Sequence, residues 1–427
     1  MMILASLVPW LLLLSGTLAA NSTYSQCQYP KAQGLQLDGC PTGTLYVSQT
    51  DPQAGYGTIS AALAALPDDT SSQTILVGPG SYHEVVNVTR AGPLTLLREK
   101  GITSKPNSYA SNTVHLWNSS YINQTAQTAT QDNADAVVLT ISPNRAASLV
   151  GSGPTGAPMQ SEFGNVDFKM YNIDVANRAT VNGIEYKAGD TGPSAALFVS
   201  YANTSFYQCT FASYQDTLYV GRNGSAVFVG GEVTGSTDFI YGFGTAYFEG
   251  TTLASRGVGG GLVAWKGSTQ WCESIRPNPG KTKPANQIID GPNTFGAYFS
   301  KAKIIKSPDA LPTLNLTGER ALGRPWNNQS RVVYMDTYMH GAERGAHPQS
   351  DIVKPQGFIQ WSTSDPRVFP NVTFFIESGS YGPGWNASAR NTSIENIISQ
   401  SAAAAAYSLS GVFGGTPSWV DGSHGYN

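Results

Sequence analysis

Aromatic residues return at a regular interval in the middle of this chain. Tyr207, Phe228 and the pair Tyr247-Phe248 lie about twenty residues apart, each in a short strand-like run bounded by turn residues. That period predicts a β-solenoid, in which each coil stacks its inward side chains on those of the next. Flanking runs such as TILVGPG, LTLLRE, AVVLTIS, FKMYNIDV and AALFVSY lack helical periodicity and read as short buried strands between turns. A β-sandwich would also supply short strands and frequent turns; the regular spacing favours the solenoid. The expectation is therefore an all-β fold, consistent with 46 glycines and 25 prolines in 427 residues.

Helical signal is confined to TISAALAAL, residues 58–66, whose apolar positions recur at three-to-four spacing. Such a helix could cap the first coil and hide its open edge. The polar, proline-rich stretch 267–287 is expected to leave the coil stack as an external loop. The tail SAAAAAYSLSGVFGGTPSW, 401–419, mixes helix formers with turn residues and is expected to pack along the outside.

Residues 1–20, MMILASLVPWLLLLSGTLAA, form an apolar run ending in small residues and read as a secretory signal peptide. The alternative is a membrane anchor, but the run is short and no basic flank follows it. The mature chain, 21–427, is then a single secreted, extracellular domain with no membrane attachment. Secretion gives meaning to eleven Asn-x-Ser/Thr sequons, at Asn21, Asn87, Asn118, Asn123, Asn203, Asn223, Asn315, Asn328, Asn371, Asn386 and Asn391. Cys27, Cys40, Cys209 and Cys272 allow three pairings, of which Cys27–Cys40 would staple the mature N-terminus. A formal charge of -3 without Lys/Arg clusters speaks against nucleic acid as the main partner. No His/Cys cluster has metal-site spacing, so neither metal nor cofactor is expected.

Only 12% of residues are charged, yet Asp216 and Asp238 both sit in apolar, glycine-rich surroundings. They are 22 residues apart, one coil of the expected solenoid, which would set them about 4.7–4.9 Å apart on neighbouring rungs. Carboxylates that close resist ionising together, so one can stay protonated while the other remains an anion. Gln215 precedes the first and could donate to a developing oxyanion. Asp238 lies among Phe239, Ile240 and Tyr241, where an anion needs a cationic partner. Arg324, followed by Pro325 and Trp326, is the best candidate, although spacing alone cannot bring it there. Turn and cap positions are the ordinary alternative for each aspartate, and a solvated face is the alternative for the arginine.

The pieces GPGSYHEVV (78–86), YQDTLY (214–219), DFIYG (238–242) and LGRPW (322–326) occur in an order that resembles the pectin methylesterases, or pectinesterases. Weaker likeness continues through PQGFIQW and SYGPGW to FGGTPSW, so it covers most of the mature chain. The resemblance implies a right-handed parallel β-helix that hydrolyses methyl esters of galacturonate in homogalacturonan (pectin), giving pectate and methanol. It implies Asp238 as nucleophile, Asp216 as general acid and then base, Gln215 as an oxyanion donor and Arg324 as the group holding Asp238. Tyr219, Tyr241, Trp326 and Trp361 match aromatic positions of the family's cleft, and a monomer without cofactor is implied.

Two positions depart from the family's pattern. Pro193 stands where a second glutamine is usual, and it offers neither an N–H nor a side-chain donor; Ser194 or a backbone amide is a possible substitute. Phe358 stands where tryptophan is common, which puts a cleft contact in question. Two other functions fit the residues: a retaining glycosidase, which also uses carboxylates about 5 Å apart, and a pectin-binding relative with weak or no turnover. Methanol release separates the esterase from both.

Overall fold

The computed structural model describes residues 23–99, 108–123, 131–151, 160, 162–181, 184–185, 192–267, 295–340, 352–362 and 373–424. The expected signal peptide, the polar loop beyond Gly267 and Cys272 lie outside the described residues.

Short runs of β-branched and aromatic residues make strands of two to five residues, which pair in parallel with the same part of the next coil. The result is a parallel β-helix with three long faces of eleven, eight and seven strands. One coil runs Asn203–Tyr207, Thr210–Ala212 and Leu218–Val220, and the next runs Ser225–Val229, Glu232–Gly235 and Ile240–Gly242. Coils stay in register because inward side chains stack. Phe206, Phe228, Phe248, Phe299 and Tyr334 form a column with successive ring centroids 4.9, 4.5, 4.6 and 4.6 Å apart, close to the rung spacing itself.

The repeat is thus present with one correction of register. Phe206, not Tyr207, is the partner of Phe228; Tyr207 pairs with Val229 and points outward. There it meets the C-terminal tail, whose Asp421 N–H donates to Tyr207 Oη at 2.5 Å, while Tyr171 Oη donates to Asp421 Oδ2 at 2.7 Å. The tail forms helices Gln400–Tyr407 and Leu409–Phe413, with Ala403, Leu409 and Val412 buried against the outer face of the eleven-stranded sheet.

The bend between the first and second faces is sharp enough to require left-handed backbone. Asn172, Gln208, Gly230, Lys301 and Asp336 all have positive φ, and each donates its N–H to a carbonyl of the following coil.

At the N-terminal end the expected helix spans Ile59–Ala64, with the Thr58 side chain accepting from Ala61 N–H. It stops short of Leu66 because Pro67 disfavours helical backbone in the residue before it. Glu84 accepts from the Ile59 and Ser60 amides, 2.9 Å each, and Ile59 and Ala62 enter the core beside Val47 and Ile75. Cys27 and Cys40 form a disulfide nearby, and Cys209 is a buried free thiol. No helix among the described residues is long and apolar enough to cross a membrane.

Candidate active site

The bend into the seven-stranded sheet carries the two aspartates. Each lies two residues before a strand, and Leu218 and Ile240 of those strands are register partners. Asp216 N–H donates to Thr237 O at 3.2 Å and Asp238 N–H to Gly261 O at 2.8 Å, so the two occupy equivalent places on consecutive coils. Both are left-handed, with φ of 61° and 47°, a conformation aspartate tolerates better than most residues. Only 9% of Asp216 and 6% of Asp238 is exposed.

Asp238 is surrounded by N–H groups. Gly261 N–H donates to Oδ1 at 2.8 Å, Arg324 Nε lies 3.1 Å from both oxygens, and Arg324 Nη2 lies 2.6 Å from Oδ2. Donors aimed at both oxygens fix the plane of the carboxylate. Arg324 arrives from the strand Ala321–Pro325, two coils on, where it pairs with Ala264, itself the partner of Tyr241. Its guanidinium lies 4.0 Å from the ring centre of Trp361. Gly260 has φ +53°, and a Cβ there would sit 2.8 Å from Asp238 Oδ1, so glycine is needed for the close approach.

A second arginine lies behind the first. Arg320 is fully buried and donates to the carbonyls of Gly257, Gly259 and Gly261, at 2.8, 2.7 and 3.2 Å, and to that of Ser236. It ties together the turns that precede Asp238 and carry Gly261.

Asp216 meets an amide that the sequence reading missed. Asn133 Nδ2 donates to Asp216 Oδ2 at 2.9 Å and lies 3.5 Å from Tyr241 Oη. Asn133 opens a short 3-10 turn, Asn133–Asp135, whose preceding Asp132 accepts from the Ala134 amide at 2.9 Å and also from Val150 and Gly151. The stretch DNAD just before the strand Val137–Ile141 was the available signal, since it marks a capped turn at the same bend two coils upstream.

Gln215 is half-buried, and Pro193 is its bridge partner on the preceding coil. Pro193 therefore does stand one rung above the oxyanion candidate. Ser194 does not replace the missing donor: its Oγ is 2.9 Å from Ser213 Oγ, and both residues are fully buried.

Phe198, Tyr219 and Tyr241 follow one another in register on the outer face of the sheet. Tyr219 and Tyr241 are 4% and 2% exposed, so they form a floor, whereas Trp326 and Trp361 keep accessible surface. Tyr241 lies 5.6 Å from Trp326, over which Lys266 Nζ sits at 3.9 Å. Burial, and then the charge of Asp216, push the Tyr241 hydroxyl well above its usual range, so it stays protonated. Phe358 is not a cleft residue: it is fully buried and stacks on Phe375 at 4.3 Å, a member of the inward core. Among the described residues no group of three His, Cys, Asp or Glu is arranged to hold a metal ion.

Comparison with known proteins places the chain in a family and a fold. The pectinesterase family profile matches residues 179–415. The chain is 31% identical over 350 residues to Pectinesterase A of Emericella nidulans, covering 82% of each. It is 28% identical over 419 residues to a probable pectinesterase A of Neosartorya fischeri, covering 98% of each. In fold it is similar to a crystal structure of the pectin methylesterase from Aspergillus niger, with TM-score 0.62, 23% identity and coverage of 90% and 98%. The carrot pectin methylesterase follows, with TM-score 0.61, 19% identity and coverage of 90% and 96%.

Proposed function

The chain belongs to the pectinesterase family, and from that premise we propose that it removes methyl groups from galacturonate esters in pectin by covalent catalysis. The observation that carries this reading is Asp238 gripped at both oxygens by Arg324 and Gly261, one coil from a second aspartate.

In this reading the Asp238 carboxylate attacks the ester carbonyl carbon. Gln215 donates to the resulting oxyanion. As the tetrahedral species collapses, the carbon–methoxyl bond breaks and Asp216 gives its proton to the departing oxygen, releasing methanol. The acyl-enzyme is a mixed anhydride on Asp238. Water then attacks it, Asp216 takes the water proton, and the galacturonate acid and the Asp238 carboxylate are released. Arg324 holds the Asp238 carboxylate in one orientation throughout. Trp326 and Trp361 supply apolar ring surface for sugar faces, and Tyr219 and Tyr241 support them from below.

Residues 1–20 belong to this proposal as a cleaved signal peptide, and 21–427 as one secreted, monomeric domain. Exposed sequon asparagines at Asn87, Asn123, Asn315, Asn328, Asn386 and Asn391 suit glycosylation on that route.

The test is methanol release from highly methylated pectin by purified protein with calcium chelated throughout. Methanol without new reducing ends is expected. Reducing ends without methanol would mean a glycosidase, and pectin binding without either product would mean a non-catalytic relative.

A further inference from the structure

Neither Pro193 nor the inward-turned Ser194 brings a side-chain donor from the coil just upstream of the aspartates. Asn133 reaches the same place from one coil further away. Its strand, Val137–Ile141, pairs with Ala195–Val199, which in turn pairs with Leu218–Val220. The amide therefore crosses the level of Pro193 to arrive 2.9 Å from Asp216 Oδ2. Its support is built in, because Asp132 holds the turn through the Ala134, Val150 and Gly151 amides.

An amide N–H can donate and cannot accept. In a protonated carboxyl the carbonyl oxygen is the better acceptor, so a donor aimed at Oδ2 favours a proton on the other oxygen of Asp216. We propose that Asn133 is a positioning residue for the acid–base group: it holds Asp216 Oδ2 as an acceptor and so fixes the transferable proton on Oδ1. The inference rests on the esterase reading, in which Asp216 protonates departing methanol and later takes a proton from water. The role is distinct from the oxyanion donor that Pro193 lacks, since Asn133 donates to Asp216 and leaves the oxyanion to Gln215.

A second consequence follows from the same hydrogen bond. A donor to a carboxylate favours its ionised form, so Asn133 makes Asp216 a stronger acid than it would otherwise be. The alkaline limb of kcat/KM reports the acid of the free enzyme. Removing Asn133 should therefore move that limb to higher pH while lowering turnover, because the proton is no longer held on one oxygen.

The experiment compares wild type, Asn133→Ala, Asn133→Asp and Asp216→Asn by methanol release from methylated pectin across pH, with thermal unfolding of each. Asn133→Ala is expected to lower kcat about tenfold, roughly the worth of one hydrogen bond to a charged group. KM should change less than about twofold, and the alkaline limb should move up by about one pH unit. Asn133→Asp should move it further, because a second carboxylate resists ionisation of the first. An unmoved alkaline limb in both variants overturns the proposal, whatever happens to kcat, and a lowered unfolding temperature in that case assigns Asn133 a structural role. Full activity of Asp216→Asn, or no methanol from wild type, overturns the esterase reading and the proposal with it.

Discussion

Arg324 holds both carboxylate oxygens of Asp238 although 86 residues separate them, with Nε 3.1 Å from each oxygen and Nη2 2.6 Å from Oδ2. A planar fork can do this and a point charge cannot. Arg324→Lys should keep the protein folded while lowering kcat on the order of 10²-fold, about 2.7 kcal/mol of transition-state stabilisation. It should also raise KM, since the guanidinium no longer covers Trp361. Steady-state methanol release checks both; unchanged kcat would remove Arg324 from the chemistry.

Gln215 should carry most of the oxyanion stabilisation, because its partner on the preceding coil is a proline. Gln215→Ala is expected to lower turnover by about 10²–10³, the range for losing one donor. Pro193→Gln should restore part of that loss in the double variant. Its backbone link, Ile122 N–H to the carbonyl of residue 193 at 2.8 Å, does not depend on the ring. A negligible effect at Gln215 in an active enzyme would mean that the oxyanion is bound elsewhere.

The reach of the sequence can be judged residue by residue. The coil was legible because its length near the middle stays close to the Asp216–Asp238 spacing, and that same constancy put the two aspartates on adjacent rungs. The register was legible only to within one residue, since Phe206 and Tyr207 are both aromatic and only packing decides which points inward. Arg324 could be joined to Asp238 through family resemblance but not by spacing, because the number of residues between successive strands varies widely along this part of the chain. Asn133 lies 83 residues before its partner Asp216 and belongs to no quoted motif; the stretch DNAD marks a capped turn but not which side chain that turn delivers. Phe358 looked like a cleft position because its neighbours match cleft motifs; its side chain instead fills the coil interior.

Gly260→Ala should impair catalysis more than stability. The new methyl would lie 2.8 Å from Asp238 Oδ1, whereas Gly259→Ala, in the same turn and also at positive φ, would meet Thr237 Oγ1 at 3.2 Å. Each substitution should cost roughly 1–2 kcal/mol of backbone strain. Only Gly260→Ala should also lower kcat, by about tenfold or more, on the basis of about 1.4 kcal/mol per factor of ten. Equal kcat in the two variants would show that crowding Asp238 is harmless.

At the C-terminal end, buried Arg390 lies 2.6 Å from Glu377 Oε1 and 3.8 Å from Glu395 Oε1. One cation faces two acids. Burial first, and then the charge of Glu377, push the Glu395 carboxyl up to about 8 despite Arg390. The folded state thus holds a proton that the unfolded chain releases near its ordinary value of about 4.3. The associated stability is complete below that value and is lost as pH rises toward 8. Glu395→Gln should flatten the fall in unfolding temperature across that window. The same slope in both proteins would mean that another group titrates there.

The central claim is that Asp238 is the nucleophile, and Asp238→Asn tests it most directly, since an amide of nearly the same shape cannot attack the ester. Methanol release from highly methylated pectin should be measured for wild type and variant at equal concentration, with unfolding temperatures to show that both are folded. Wild type should release methanol and the folded variant none above background. Methanol release by Asp238→Asn at a rate near that of wild type would contradict it.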